Sequence, residues 1–526
     1  SCCAEKYVLF YQFVRQRMVR KRGGIFKKLH RWPGLILSFV LLFYAVTGIV
    51  MNHREGLSGI DVDRDMLPGN YAYTNWNNAA LKGSLVLSPD SILVYGNIGI
   101  WLTDSTFSEY NSYNHGLPPG TDNRKIFDLH QTSNGSLFAA TLFGLWGWDE
   151  GSGVWKKFQL ETDIDRFTGI EGIGDTVFAL SRSHLFTGVA EGTGTRFGRK
   201  ELPAPEGYEQ KVTLFETIWQ IHSGEILGLP GKLFVDLLGV VTIFLSLTGI
   251  VYFFFPSAIR HFRKKKKPVG QLVSVNKWSL KWHNKVGAWT FVLLALLYFT
   301  GMFLRPPLLI AIASARVDPL RFSRLDQPNP WYDKLRDLRW DEDRGVFLVS
   351  TSEGMYQMER ERLKMVPVPY QPPVSVMGIN TFEPVGHGSF MVGSFSGLFL
   401  WNPSHPVVYD YLSGEPYQEP AGGRPVGEIR VTGHLTDPAG RLYIAEYGYG
   451  IIPVGHDRRL PEMPENLRAE ADISLWNLTL EIHTGRIWEF LLGGFYILIV
   501  PLTGLAAVTV VISGYLLYRR KYKRRK

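Results

Sequence analysis

The stretch HRWPGLILSFVLLFYAVTGIVM, residues 30–51, sets a histidine, an arginine and a proline in front of an apolar run without a charged residue. Gly34–Met51 is about as long as a bilayer crossing requires, roughly 17 to 25 helical residues. It lies too deep in the chain, and lacks a small-residue cleavage site, to read as a removed signal peptide. Three more runs share its character: Leu233–Phe255, Val286–Leu304 and Leu491–Tyr518. The sequence therefore predicts a mixed membrane protein with spans at 34–52, 232–256, 286–304 and 486–518. Between them lie two long polar connections, 53–231 and 305–485.

Charge is sorted along this frame. Of 57 Lys and Arg and 48 Asp and Glu, residues 1–33 hold nine bases and one acid, residues 257–285 nine bases, and residues 519–526 seven bases. The formal net charge of +9 is thus +24 on three short segments and −15 on the rest. The positive-inside rule places the basic N-terminal segment, loop and tail in the cytoplasm and both connections outside. Each basic run abuts a span, which argues against nucleic acid as the partner. Only Cys2 and Cys3 occur, so no disulfide scaffold supports the external mass. That poverty of cysteine fits the periplasmic side of a bacterial inner membrane. The chain opens on Ser1 rather than Met, which reads as a processed or edited terminus.

The spans come as two similar halves. His30 to Gly34 and His283 to Gly287 are the same distance apart, as are His30 to Thr47-Gly48 and His283 to Thr300-Gly301. Ile221-His222-Ser223-Gly224 and Ile482-His483-Thr484-Gly485 open the second span of each half, but Thr248-Gly249 and Thr503-Gly504 follow at different distances.

The connections carry their own repeat. Ile92–Trp101, Leu137–Trp146 and Val177–Phe186 in the first, and Val346–Tyr356, Phe390–Phe399 and Leu442–Ile452 in the second, each read as strand, tight turn, strand. Their turns lie 45, 40, 43 and 53 residues apart within the connections, a period suited to four-stranded blades. Three units in each half cannot close a ring alone, so the expectation is a periplasmic all-β domain, a six-bladed β-propeller built from both connections. Two separate β-sandwiches are the alternative. Trp101, Trp146, Trp148 and Trp401 read as blade core.

Six of the 13 histidines fall at span ends: His30, His261 and His283 on one side, His53, His222 and His483 on the other. An imidazole near hydrocarbon is costly unless paired. The halves pair His30 with His283 and His222 with His483, and two imidazoles facing across a bundle are what a six-coordinate haem iron needs. His53 and His261 are alternates on their own sides. Arg31, Lys285 and Arg486 are candidates for haem propionates, and Gly34, Gly48, Gly287 and Gly301 for close approach. A bare metal would need carboxylates beside each pair, for which only Glu225, Glu481 and Glu489 on the outer side are available.

Leu29-His30-Arg31-Trp32-Pro33-Gly34 running to Thr47-Gly48, with the two His-[Ser/Thr]-Gly motifs, resembles the PepSY-associated transmembrane family, across all four spans. The resemblance implies that His30, His222, His283 and His483 bind two haems b, since some relatives are inner-membrane dihaem reductases that release iron from siderophores. Relatives often carry a PepSY module where this chain has propeller-like repeats. The expected function is an inner-membrane electron conduit that delivers electrons to a periplasmic acceptor, a ferric chelate by resemblance, held between the propeller and the membrane. About 70 cytoplasmic residues in three pieces cannot form a flavin or nicotinamide domain, so quinol or a separate cytoplasmic reductase is the donor. Asp236, one turn inside the second span, is a candidate proton acceptor or a buried structural group. The rival reading is a membrane-anchored sensor, scaffold or ligand-binding propeller without catalysis. A propeller hydrolase lacks any convergent Ser/His/Asp pattern.

Overall fold

The computed structural model describes residues 2–375, 378–419 and 426–523, with side chains from Phe26 to Lys521. Cys2, Cys3 and the basic side chains nearest both termini lie outside it. The chain divides into two compact units, residues 1–54, 210–326 and 476–526 in the first, 55–209 and 327–475 in the second.

The first unit is built on α1 (Cys2–Asn52), α2 (Leu214–Ser223), α3 (Gly228–Lys264), α4 (Gly270–Met302), α5 (Leu475–His483) and α6 (Ile499–Lys523). Four stretches are long and apolar enough to cross a membrane: Phe26–Asn52, Glu225–Lys264, Gly270–Met302 and Arg486–Lys521. The helices outrun the apolar segments expected from sequence because their polar ends continue the same hydrogen-bond ladder. Helix α1 packs on α3, α3 on α4, α4 on α6 and α6 on α1, closing a four-membered bundle. Small residues set the approach: Gly239 lies against Ile49 and the Ala45 carbonyl, Gly504 against Met302 and the Tyr298 carbonyl. Phe43, Leu237, Leu296 and Leu502 face outward and exposed, as hydrocarbon-facing side chains do, while Ser38, Thr47, Thr242, Thr248 and Thr300 are buried. These hydroxyls donate to carbonyls four residues back on their own helices, so none of the five is left without a partner.

Besides a two-stranded pairing of Asp61–Val62 with Ile473–Ser474, the second unit contains six antiparallel sheets in chain order, five of four strands and a last one of three. Each hairpin read from the sequence is the second and third strand of one sheet. Alternation sends successive residues to opposite faces: Leu93 packs toward Ile126 and Leu137 of the second sheet, Ile92 and Val94 toward Leu435 and Tyr443 of the sixth. The same holds all round, with one apolar cluster between every neighbouring pair of sheets. The cluster of Phe178 and Leu180 with Leu338 and Phe347 joins the two connections, as does that between the sixth and first sheets. Two independent sandwiches would not share cores in this way. The first strands, Leu81–Ser88, Ile126–Gln131, Phe167–Ile173, Leu335–Asp341, Ile379–Gly386 and Val431–Thr436, neighbour one another in a closed cycle.

Closure is made by the chain before the first sheet. Ile451 N donates to Asn75 O at 3.2 Å and Asn78 N to Tyr447 O at 2.8 Å, so residues 75–78 lie along the three-stranded sixth sheet. Gly450 has φ +83° there, and a β-carbon on it would collide with the Asn75 carbonyl. Trp76, 1% exposed, seals the joint and donates from Nε1 to Pro461 O at 3.0 Å.

Candidate cofactor site

Four histidines meet in two pairs inside the helical unit. The His30 and His283 ring centres are 6.1 Å apart with planes at 66°, and those of His222 and His483 are 6.3 Å apart at 61°. His30 is on α1 and His283 on α4, while His222 and His483 close the short helices α2 and α5. Gly224 (φ +79°) and Gly485 (φ +74°) cap those short helices in the left-handed conformation and turn the chain toward the span. The glycine of each His-[Ser/Thr]-Gly motif is therefore a helix stop rather than a cofactor contact.

Three of the four rings are held alike. His30 Nδ1 lies 2.9 Å from Val510 O, His222 Nδ1 3.0 Å from Leu297 O, and His283 Nδ1 3.1 Å from Leu245 O. His483 differs: its Nδ1 lies 2.9 Å from Thr47 Oγ1, with the Tyr44 backbone also against the ring. Each carbonyl belongs to the residue four before a glycine, and that glycine receives the edge of the ring. Gly514 faces His30, Gly301 His222, Gly249 His283 and Gly48 His483. A threonine precedes three of these glycines, and Thr248 Oγ1 (3.1 Å) and Thr300 Oγ1 (3.3 Å) also reach their Nδ1 atoms. A carbonyl on Nδ1 fixes the proton there and leaves Nε2 as the basic nitrogen. No Nε2 of the four has a hydrogen-bond partner among the described residues.

Sequence spacing paired the histidines but not the seats. Thr503-Gly504 is the Thr-Gly pair of the fourth span, yet Gly504 packs on α4, and the seat of His30 is Ser513-Gly514. The cause is an insertion: α3 starts almost at once after its cap, whereas two short turns, Glu489–Leu492 and Gly493–Leu498, intervene before α6. Gly34 and Gly287 meet Val510 and Leu245 at ordinary contact distance and approach no imidazole.

The alternates are not drawn in. His53 Nε2 lies 2.8 Å from Asp236 Oδ2, and His261 is exposed beside Phe262. Arg31 is exposed and lies over the Phe253 ring at 5.0 Å, Lys285 Nζ lies 4.5 Å from the Trp289 ring centre, and Arg486 bonds Glu481 at 3.1 Å. The cation at the second pair is Arg305, which sequence reasoning missed although it ends the third span. It lines a cavity of about 330 Å³ together with His222, His483, Tyr44, Trp219 and Asp236. Asp236 also accepts from Asn52 Nδ2 at 2.8 Å.

A bare metal is poorly served. Among the described residues no three His, Cys, Asp or Glu converge. Glu225 is held by Lys232 and Arg324, and Glu481 by Arg486. A group bringing its own equatorial nitrogens needs only two protein ligands. Two imidazoles bound through Nε2 to opposite sides of one metal have ring centres roughly 6 Å apart, given metal–nitrogen bonds of about 2.0–2.1 Å. Both observed separations match.

The model of the family described as PepSY-associated TM region matches residues 7–255 and 258–521. No curated protein matches the chain. Among solved structures, the extracellular domain of a protein described as a hybrid two component system, BT4673 from B. thetaiotaomicron, is 12% identical with a TM-score of 0.33, covering 76% of this chain and 40% of that one. YCF48 bound to D1 peptide is 9% identical with a TM-score of 0.26, covering 76% and 71%. The chain thus spans less than half the length of the first.

Proposed function

The chain belongs to the PepSY-associated TM region family, and on that premise we propose that its bundle is an electron conduit, with His30 and His283 holding one haem b and His222 and His483 a second. The observation that carries this reading is one seat repeated four times: Nδ1 tied to a carbonyl in three and to the Thr47 hydroxyl in the fourth, the ring edge on a glycine, Nε2 without a partner among the described residues. Haem held there would supply one-electron redox chemistry.

The chain's own residues do the rest. The carbonyls at Leu245, Leu297 and Val510 hold their imidazoles in the tautomer that ligates and raise their basicity. Gly301 and Gly514 leave room that any side chain would take from the ring. The apolar outer surface of the bundle confines the path to its interior. Arg305 is the cation placed to neutralise an anionic edge at the second pair.

By the positive-inside rule the basic segments face the cytoplasm of a bacterial inner membrane. The His30–His283 pair would then hold the group nearer the donor, quinol or a separate cytoplasmic reductase, and the His222–His483 pair the group nearer the periplasm. The six sheets, with a shared core at each neighbouring pair, are read as blades of one periplasmic propeller, and a ferric chelate is the proposed acceptor. The test is an oxidised-minus-reduced spectrum of the purified chain. A Soret band that halves in His30→Ala and in His222→Ala and vanishes in the double variant supports the conduit. Absence of any band from protein purified with haem supplied overturns it in favour of a membrane-anchored sensor or scaffold.

A further inference from the structure

The six first strands of the β unit enclose a second cavity, of about 590 Å³, within the range of small-molecule sites. Each strand turns polar side chains toward this centre, and six define its wall: Asp128, His130, Glu171, Arg339, Glu383 and His434. Such a wall is not an ordinary apolar core, and its charges do not balance.

Arg339, 11% exposed in its side chain, bonds Asp128 at 3.0 Å, Asp337 at 3.0 Å and Glu383 at 3.1 Å. Lys82 donates to the Asn380 carbonyl behind the same wall. Four carboxyls, Asp128, Glu171, Asp337 and Glu383, thus face two cations, a deficit of two positive charges when all are ionised. Burial lowers the pKa of both His130 and His434, so neither supplies the missing charge. Burial, with the charges of Glu383 and Asp128 in support and Arg339 opposing, lifts Glu171 to about 7. Burial lifts Asp337 to about 7 in the same way.

Two further observations point to an occupant. His434 lines this cavity, and its Nδ1, buried within the wall, has no hydrogen-bond partner among the described residues. At the opening, Glu342 and Asp343 are exposed and carry no ion pair among the described residues, giving an incoming cation a negative funnel. The carboxyls are spread over different strands, and no three metal-ligating side chains converge, so a naked metal ion has no coordination shell here.

We propose that this cavity is a binding site for a small organic cation with several N–H donors, an aliphatic polyamine being the simplest member of the class. Its ammonium groups sit between Glu171 and the Asp128–Glu383 side of the wall, complete the charge balance and engage His434. The site lies wholly within the β unit and is independent of the histidine pairs.

The experiment is calorimetric titration of spermidine into the full-length chain in detergent at pH 7 and low salt. Expected are saturable one-to-one binding, at least tenfold weakening by Glu171→Gln, and an observed enthalpy that differs between phosphate and Tris because a bound cation expels protons from Glu171 and Asp337. The exposed pair Glu342→Gln, Asp343→Asn, which leaves the wall intact, should weaken binding two- to fivefold. Non-saturable heats, equal displacement by Mg²⁺, or affinity unchanged in the folded Glu171→Gln protein overturns the proposal.

Discussion

Gly301 stands so close to His222 that a β-carbon on it would lie 2.7 Å from the imidazole Cε1. Gly514 bears the same relation to His30 at 2.7 Å, while Gly48 and Gly249 leave 3.3 and 3.4 Å to His483 and His283. The four seats are therefore graded in how much they resist a methyl group. Gly301→Ala and Gly514→Ala should each lose about half the Soret absorbance, and Gly48→Ala and Gly249→Ala should retain most of it. Equal loss in all four would deny the glycines this steric role.

The hydroxyls beside Nδ1 make a separate prediction. Thr248→Val removes the 3.1 Å contact to His283 while the Leu245 carbonyl stays. Loss of such a supporting partner typically costs 10–100-fold in metal affinity. With the carbonyl retained, about tenfold weaker haem uptake is expected when the apoprotein is titrated with haem, with an unchanged six-coordinate low-spin spectrum.

Much of this arrangement was legible in the chain. Equal spacing in the two halves paired His30 with His283 and His222 with His483, because both members of a pair sit at matching ends of matching helices. The hairpins were legible because their apolar strands end at tight turns. Ser513-Gly514 was hidden, since the turns at 489–498 shift the register of the fourth span and leave Thr503-Gly504 as a decoy. Arg305 and the wall of the β cavity were also hidden. The first strands carry isolated charges such as Arg339 and Glu171, which on a single strand look like solvent-facing positions until six strands are brought around one centre.

Those charges give the β unit a pH signature. Glu171 has its folded pKa raised to about 7 from an ordinary 4.5, so folding takes up a proton and the associated stability is lost as pH rises from about 4.5 through 7. Glu171→Gln removes that loss. Its melting temperature relative to wild type should therefore climb between pH 5 and pH 8, as read by scanning calorimetry, and a flat difference would contradict the assignment.

Trp76 tests the closure. It is 1% exposed at the joint between the first and sixth sheets. Trp76→Ala should cost about 3–5 kcal/mol, lowering the melting temperature of the β unit on the order of 10 °C. Hydrogen exchange should rise first at Ile451 and Asn78, whose amides cross the joint.

Because residues 75–78 lie along a sheet that ends at Val454, the first three sheets are synthesised long before their last neighbour exists. At about 5–20 residues per second the ribosome takes roughly a quarter to most of a minute to supply the rest. During that interval Phe178 and Leu180 wait for Leu338 and Phe347, and Ile92, Val94 and Trp101 wait longer, for Leu435 and Tyr443. An unfinished ring with an uncovered apolar face is therefore expected during synthesis, for a time set by translation speed rather than by folding.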